Sequence, residues 1–101
     1  MNPAIEDQRH TVDRAVAVLR GMAYEHRLHI LLLLRDGECT PAALVEAIDA
    51  DPTSVAHHLR FLLDARLIRR QRRGRHVYYS LRGEATRQLI TDVLRYAQNS
   101  L

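Results

Sequence analysis

The sequence predicts a mainly α-helical domain with one small β-hairpin, in the order α-α-α-α-β-β-α. Three observations predict it. Apolar residues recur at helical spacing through most of the chain. Two cap-plus-proline signals, Thr40-Pro41 and Asp51-Pro52, open two short helices in its middle. Beyond them, a glycine-containing turn separates two strand-like runs. With 101 residues, the chain has room for one compact domain and not two.

Residues 1–10 are polar and are read as a flexible N-terminus, leaving 11–101 as the domain. From Thr11, read as an N-cap, apolar residues fall at Val12, Ala15, Val16, Leu19 and Met22. Ala17 and Val18 widen that stripe beyond one packing face, as a helix that also meets a partner subunit would require. A second helix covers roughly 25–35 and stops at Asp36-Gly37; its run from Ile30 to Leu34 marks the central core helix. Thr40 then caps a helix through Ile48, a short break follows at Asp49-Ala50, and Asp51 caps a helix through about Ala65. Two short helices joined by a tight turn make a helix-turn-helix. Val55, Leu59, Leu62 and Leu63 hold the second helix on the core, while Thr53, Ser54, His57 and Arg60 lie toward its outer, N-terminal side. Leu67 to Gln71 reads as a strand, Arg72 to Arg75 as the turn and His76 to Leu81 as the returning strand, with Gly74 supplying a positive φ. This is a wing, and the fold is a winged helix-turn-helix. The last helix runs from Glu84 to about Gln98, with Ala85, Leu89, Val93 and Ala97 at four-residue spacing beside Ile90 and Leu94.

Composition narrows the function. Cys39 is the only cysteine, which excludes an intramolecular disulfide framework and fits a reducing cytoplasm. Neither a signal-peptide core nor a membrane-length apolar run is present, so the expected location is cytoplasmic. The net charge of +3 hides an asymmetry: residues 1–51 hold five arginines against nine acids, and residues 52–101 hold ten against three. From Arg66 to Arg75, six of ten residues are arginine and none is acidic. Such a block points to a polyanion, the other reading being a solvated loop.

A major groove admits one helix whose N-terminal side chains meet base edges. The expected DNA contacts are therefore Thr40, Thr53, Ser54, His57 and Arg60 on the helix-turn-helix, with Arg72, Arg73 and Arg75 of the wing on phosphate or minor groove. If the two wings of a dimer neutralise about six phosphates, log affinity falls with log salt at a slope near −5. His57 and His58 point about 100° apart on a helix, so one faces DNA and the other packs inward, and as neighbours they chelate metal poorly. Tyr78 and Tyr79 alternate across a strand, placing one in the core. No Ser/His/Asp set or phosphate-binding glycine loop is present, and no enzyme is expected.

Three stretches carry a family resemblance: RLHILLLL at 27–34, SVAHHLRFL at 54–62, and ARLIRR at 65–70 followed by GRHVYYSL at 74–81. They resemble the ArsR/SmtB family in order and length over about residues 12–98. The family's recognition-helix pattern S-T-V-S-H-H-L-x-x-L is nearly reproduced at 53–62, with Ala56 replacing one serine. The resemblance implies a homodimer on an inverted-repeat operator, joined through the first and last helices, here by Val12, Val16, Leu19, Leu89, Val93 and Ala97. Family members are mostly repressors that release DNA on binding metal. The family's usual metal ligands are missing. Cys39 and Pro41 stand where arsenic-type members have a Cys-x-Cys pair, and Gly83, Ala85, Tyr96 and Asn99 stand where zinc- and cobalt-type members carry last-helix ligands. Tyr24-Glu25-His26 also replaces the family's Asp-Pro-Thr.

The remaining oxygen and nitrogen donors with helical spacing are Asp7 with His10, joined by Glu6, and His26 with His29, beside Glu25. They have the chemistry for weak nickel, cobalt or zinc binding, the other reading being solvated histidines. The expected function is a sequence-specific DNA-binding regulator of the metalloregulator type whose metal sensing is weak, relocated or supplied by a separate metal-binding protein. The rivals are a metal-independent regulator and a protein–protein adaptor on the same fold.

Overall fold

The computed structural model describes residues 3–100, with side chains from Glu6 onward. The element order is α1 (Pro3–Met22), α2 (Glu25–Asp36), α3 (Pro41–Ile48), α4 (Pro52–Asp64), β1 (Ile68–Arg73), β2 (His76–Leu81) and α5 (Glu84–Asn99). The helix-turn-helix is α3 and α4, and the wing is the antiparallel pair β1 and β2.

Two boundaries differ from the sequence expectation. Helix α1 starts at Pro3, so residues 3–10 belong to the first helix, while Met1 and Asn2 lie outside the described residues. Pro3 suits a first helical position, and the Ala, Glu, Gln and Arg that follow are strong helix formers. Thr11 is therefore interior and not a cap; its Oγ1 donates to the Asp7 carbonyl at 3.0 Å, one turn back. The wing turn is also tighter than expected. Arg72 and Arg73 belong to β1, Arg73 pairs with His76, and only Gly74 and Arg75 form the loop. Gly74, at φ 61°, takes the first loop position, where a two-residue hairpin favours glycine.

The caps of the helix-turn-helix form as expected. Thr40 Oγ1 accepts from the Ala43 N–H at 3.2 Å, and Asp51 Oδ1 accepts from the Ser54 N–H at 2.9 Å. Helix α4 ends in a Schellman motif: Leu67 N–H donates to the Leu62 carbonyl at 3.1 Å and Arg66 N–H to Leu63 at 3.0 Å. Leu62 and Leu67 are both buried, which supplies the motif's apolar contact. Arg66 holds the left-handed position, φ 57°, that glycine usually fills.

The core is built on α2, whose Ile30, Leu31 and Leu34 meet Leu44, Val55, Leu59, Leu62, Leu81 and Ile90. Helix α1 crosses the end of α4 closely: a Cβ on Gly21 would stand 2.7 Å from Ala65 Cβ, and Arg14 Nη1 donates to the Ala65 carbonyl at 2.7 Å. Helix α5 packs on α2 and β2, with Arg87 donating to the Arg35 carbonyl; among the described residues α1 and α5 do not pack on each other within the chain. The wing is joined to the helix-turn-helix by an isolated bridge. Cys39 N–H donates to the Tyr79 carbonyl at 3.0 Å, and Tyr79 N–H returns to Cys39 at 2.8 Å.

Candidate nucleic-acid interface

Helix α4 divides as its sequence requires. Val55, Leu59 and Leu62 are buried, whereas Thr53, His57 and Arg60 are exposed and Ser54 is half-buried. Asp51 occupies the Ser54 N–H, so the Ser54 hydroxyl is its remaining donor toward a ligand. Thr40 uses its Oγ1 as a cap acceptor, which leaves the hydroxyl hydrogen as its outward donor. Arg60 lies 3.9 Å from Asp64, both well exposed, a contact that holds it weakly. His57 and His58 part as expected: His57 is exposed and His58 is half-buried, turned toward Tyr24 and His26.

Register divides the wing arginines between two faces. Arg70 and Arg72 share the face of buried Ile68, opposite Tyr79 and Val77, whereas Arg69 and Arg73 project from the other face. Tyr79 is the core tyrosine. Arg72 Nε donates to the Gly74 carbonyl at 3.3 Å, stiffening the turn, and Arg75 stands exposed at the tip. Arg73 is different: it forms an ion pair with Glu38, and its guanidinium carbon lies 4.0 Å from the Tyr78 ring centroid. It pins the wing to the segment before α3. Among the described residues Arg69, Arg70, Arg72 and Arg75 make no ion pair.

Sequence reasoning did not assign a place to Arg27. Among the described residues it is the buried charged residue, 4% exposed, held between the rings of Tyr24 and Phe61. The signal available was an arginine in the first turn of the helix that supplies the central apolar run, one turn from Tyr24, but nothing local marks Phe61 as the opposite wall.

The candidate metal donors lie in different surroundings. His10 and Asp7 are exposed on α1; His26 lines a hollow of about 210 Å³ with Tyr24, Glu25 and His58, while His29 borders a separate one with Glu25, Leu28 and Leu32. Among the described residues no group of three or more His, Cys, Asp or Glu comes together to hold a metal ion. Burial, and then the Glu38 carboxylate, push the Cys39 thiol up, so it stays protonated and a poor thiolate ligand at neutral pH. The six residues expected at a dimer contact are on the surface of the single chain or half-buried. Val12 and Leu19 on α1 are 57% and 62% exposed, with Val16 between them; Leu89 and Ala97 on α5 are exposed and Val93 is half-buried.

The bacterial arsR-family regulatory protein model matches residues 25–70, which span α2, the helix-turn-helix and the start of the wing. The chain is 34% identical over 99 residues to the HTH-type transcriptional regulator KmtR of Mycobacterium tuberculosis, covering 98% of this chain and 74% of that protein. The chain belongs to the ArsR family. The HTH-type transcriptional regulator NmtR of the same organism is 31% identical over 86 residues, covering 85% of this chain and 72% of that one. Among solved ArsR-type structures, the homodimeric winged helix-turn-helix DNA-binding domain of a possible ArsR-family regulator from Mycobacterium bovis superposes with a TM-score of 0.88 at 29% identity, over 93% of this chain and 87% of that one. These relatives are transcriptional regulators, not enzymes, and among the described residues no helix is long and apolar enough to cross a membrane.

Proposed function

We propose that this ArsR-family chain regulates transcription as a homodimer that reads an inverted-repeat operator. Helix α4 enters the major groove with Thr53, Ser54, His57 and Arg60 toward the bases, and Thr40 contacts the flanking backbone. The wing supplies phosphate contacts through Arg72 and Arg75, with Arg73 holding it in place. One observation carries this reading: the exposed polar half of a doubly capped helix-turn-helix stands beside a hairpin whose arginines are exposed and largely free of acids. The rows Val12–Val16–Leu19 and Leu89–Val93–Ala97 would be covered by the second copy, as an exposed apolar helix face requires. On this reading the protein acts in the cytoplasm, where bacterial DNA lies. The family's last-helix ligand positions carry Gly83, Ala85, Tyr96 and Asn99, so a metal response would draw on Asp7, His10, His26 and His29 or on a separate metal-binding protein.

The test is an anisotropy titration of the purified protein on duplexes selected from a randomised pool, repeated across salt. A slope of log affinity against log salt near −3.6 is expected for about four phosphates, those that Arg72 and Arg75 of two wings would neutralise. Failure to enrich any duplex, with weak and salt-insensitive binding, would favour a protein–protein adaptor.

A further inference from the structure

Arg27 and His58 hold all the buried side-chain polar atoms without a hydrogen-bond partner among the described residues: Arg27 Nε and Nη1, and His58 Nδ1. A desolvated guanidinium lacking a carboxylate is costly, and such groups persist where they do something a hydrocarbon cannot. What Arg27 has instead is two aromatic faces. Its guanidinium carbon lies 4.3 Å from the Tyr24 ring centroid and 4.4 Å from that of Phe61. The Phe61 ring in turn meets His57 edge-on, with centroids 4.9 Å apart at 72°. A continuous stack therefore runs from the start of α2, through a buried cation, to the exposed histidine of α4.

The two outer members need that support. Phe61 is 44% exposed, and His57 is exposed one turn before it, so core packing fixes neither ring. A flat cation attracts the face of an aromatic ring and so fixes its plane, which an aliphatic neighbour would not do. His58 completes the arrangement from behind. Burial first, then Arg27, His26 and His57, push its pKa below the ordinary value, which keeps a second positive charge from forming beside Arg27.

The geometry points to Arg27 as a positioning residue for DNA reading: through Phe61 it holds the His57 imidazole in the orientation from which it meets a base edge. This rests on the proposal that α4 enters the major groove.

The experiment compares affinities for a duplex selected from a randomised pool and for a scrambled duplex of equal length, at one salt concentration. The proteins are the wild type, Arg27→Met, Phe61→Leu, Phe61→Tyr and His57→Ala, each checked for folding by circular dichroism. Arg27→Met and Phe61→Leu are expected to lose about three- to tenfold in discrimination, the effect of freeing one side chain that binding must then immobilise. Scrambled-duplex affinity should not change, and Phe61→Tyr, which keeps the ring, should retain discrimination. The ring-current shift on the His57 imidazole protons should be lost in Phe61→Leu and reduced in Arg27→Met. Folded Phe61→Leu or Arg27→Met protein with undiminished discrimination overturns the inference, and Phe61→Leu serves alone if Arg27→Met does not fold. His57→Ala separates the two levels: if it leaves discrimination intact, the reading of α4 falls; if it alone lowers discrimination, only the positioning role falls.

Discussion

Alanine at Arg75 and alanine at Arg73 each remove one wing arginine, yet they should change DNA binding differently. Arg75 stands at the exposed tip with no ion pair among the described residues, whereas Arg73 is held by Glu38 and the Tyr78 ring. If each subunit of a dimer places Arg75 on one phosphate, Arg75→Ala removes two contacts, and at about 0.9 per contact the salt slope becomes shallower by about 1.8. Over a fourfold rise in salt, from about 50 to 200 mM, that difference amounts to about twelvefold in affinity. Arg73→Ala should flatten the slope less than Arg75→Ala, because the Glu38 carboxylate competes with phosphate for its guanidinium. Glu38→Gln should act in the opposite direction: with both partners about half exposed the pair is weak, and freeing Arg73 for phosphate should steepen the slope. Fluorescence anisotropy on a fixed duplex across a salt series measures all three. An equal flattening by Arg73→Ala and Arg75→Ala would show that Arg73 binds DNA rather than Glu38, and the division of the wing proposed here would be wrong.

Val16→Glu, on the exposed row of α1, should shift sedimentation toward monomer, and an unaltered dimer would place the interface elsewhere. Asp51→Ala removes the α4 cap and should lower unfolding stability by about 1 kcal/mol in urea titration. His58 is held below its ordinary pKa of 6.5, so the unfolded chain takes up its proton first. Its contribution to stability is therefore complete above about pH 6.5 and lost as pH falls below it, and His58→Gln should flatten that acid limb. Nickel, zinc or cobalt at micromolar free concentration should change DNA affinity by less than about tenfold, equivalent to about 1.4 kcal/mol of coupling; a larger change would direct the search to His10, His26 and His29.

What could be read from the chain was what neighbouring residues decide. Thr40-Pro41 and Asp51-Pro52 announce their helices because a cap hydrogen bond spans three residues, and both caps form. Gly74 marks the turn for the same local reason, although its exact length depended on Arg72 and Arg73 finding partners across the hairpin. The start of α1 was missed because polar residues without a periodic stripe gave no sign that Pro3 had already opened a helix. At the candidate interface, residue identities were legible and their commitments were not. Arg73 looks like any other wing arginine until the fold brings Glu38, 35 residues away, into contact. Arg27 likewise needs α4 folded against α2 before Phe61 can close over it.

The Cys39 to Tyr79 bridge limits how the molecule can respond to a signal. Paired backbone hydrogen bonds between them tie the wing to the entry of α3, with the half-exposed Arg73–Glu38 pair adding little. Arg14 fastens α1 to the far end of α4, and Arg87 fastens α5 to α2. A reading head tied at so many points has little freedom to flex internally. In a dimer, the adjustable quantity is then the angle and separation between two rigid heads, so an effector could weaken operator binding without touching a DNA-contacting residue, by bringing the two half-site readers out of step with the helical repeat.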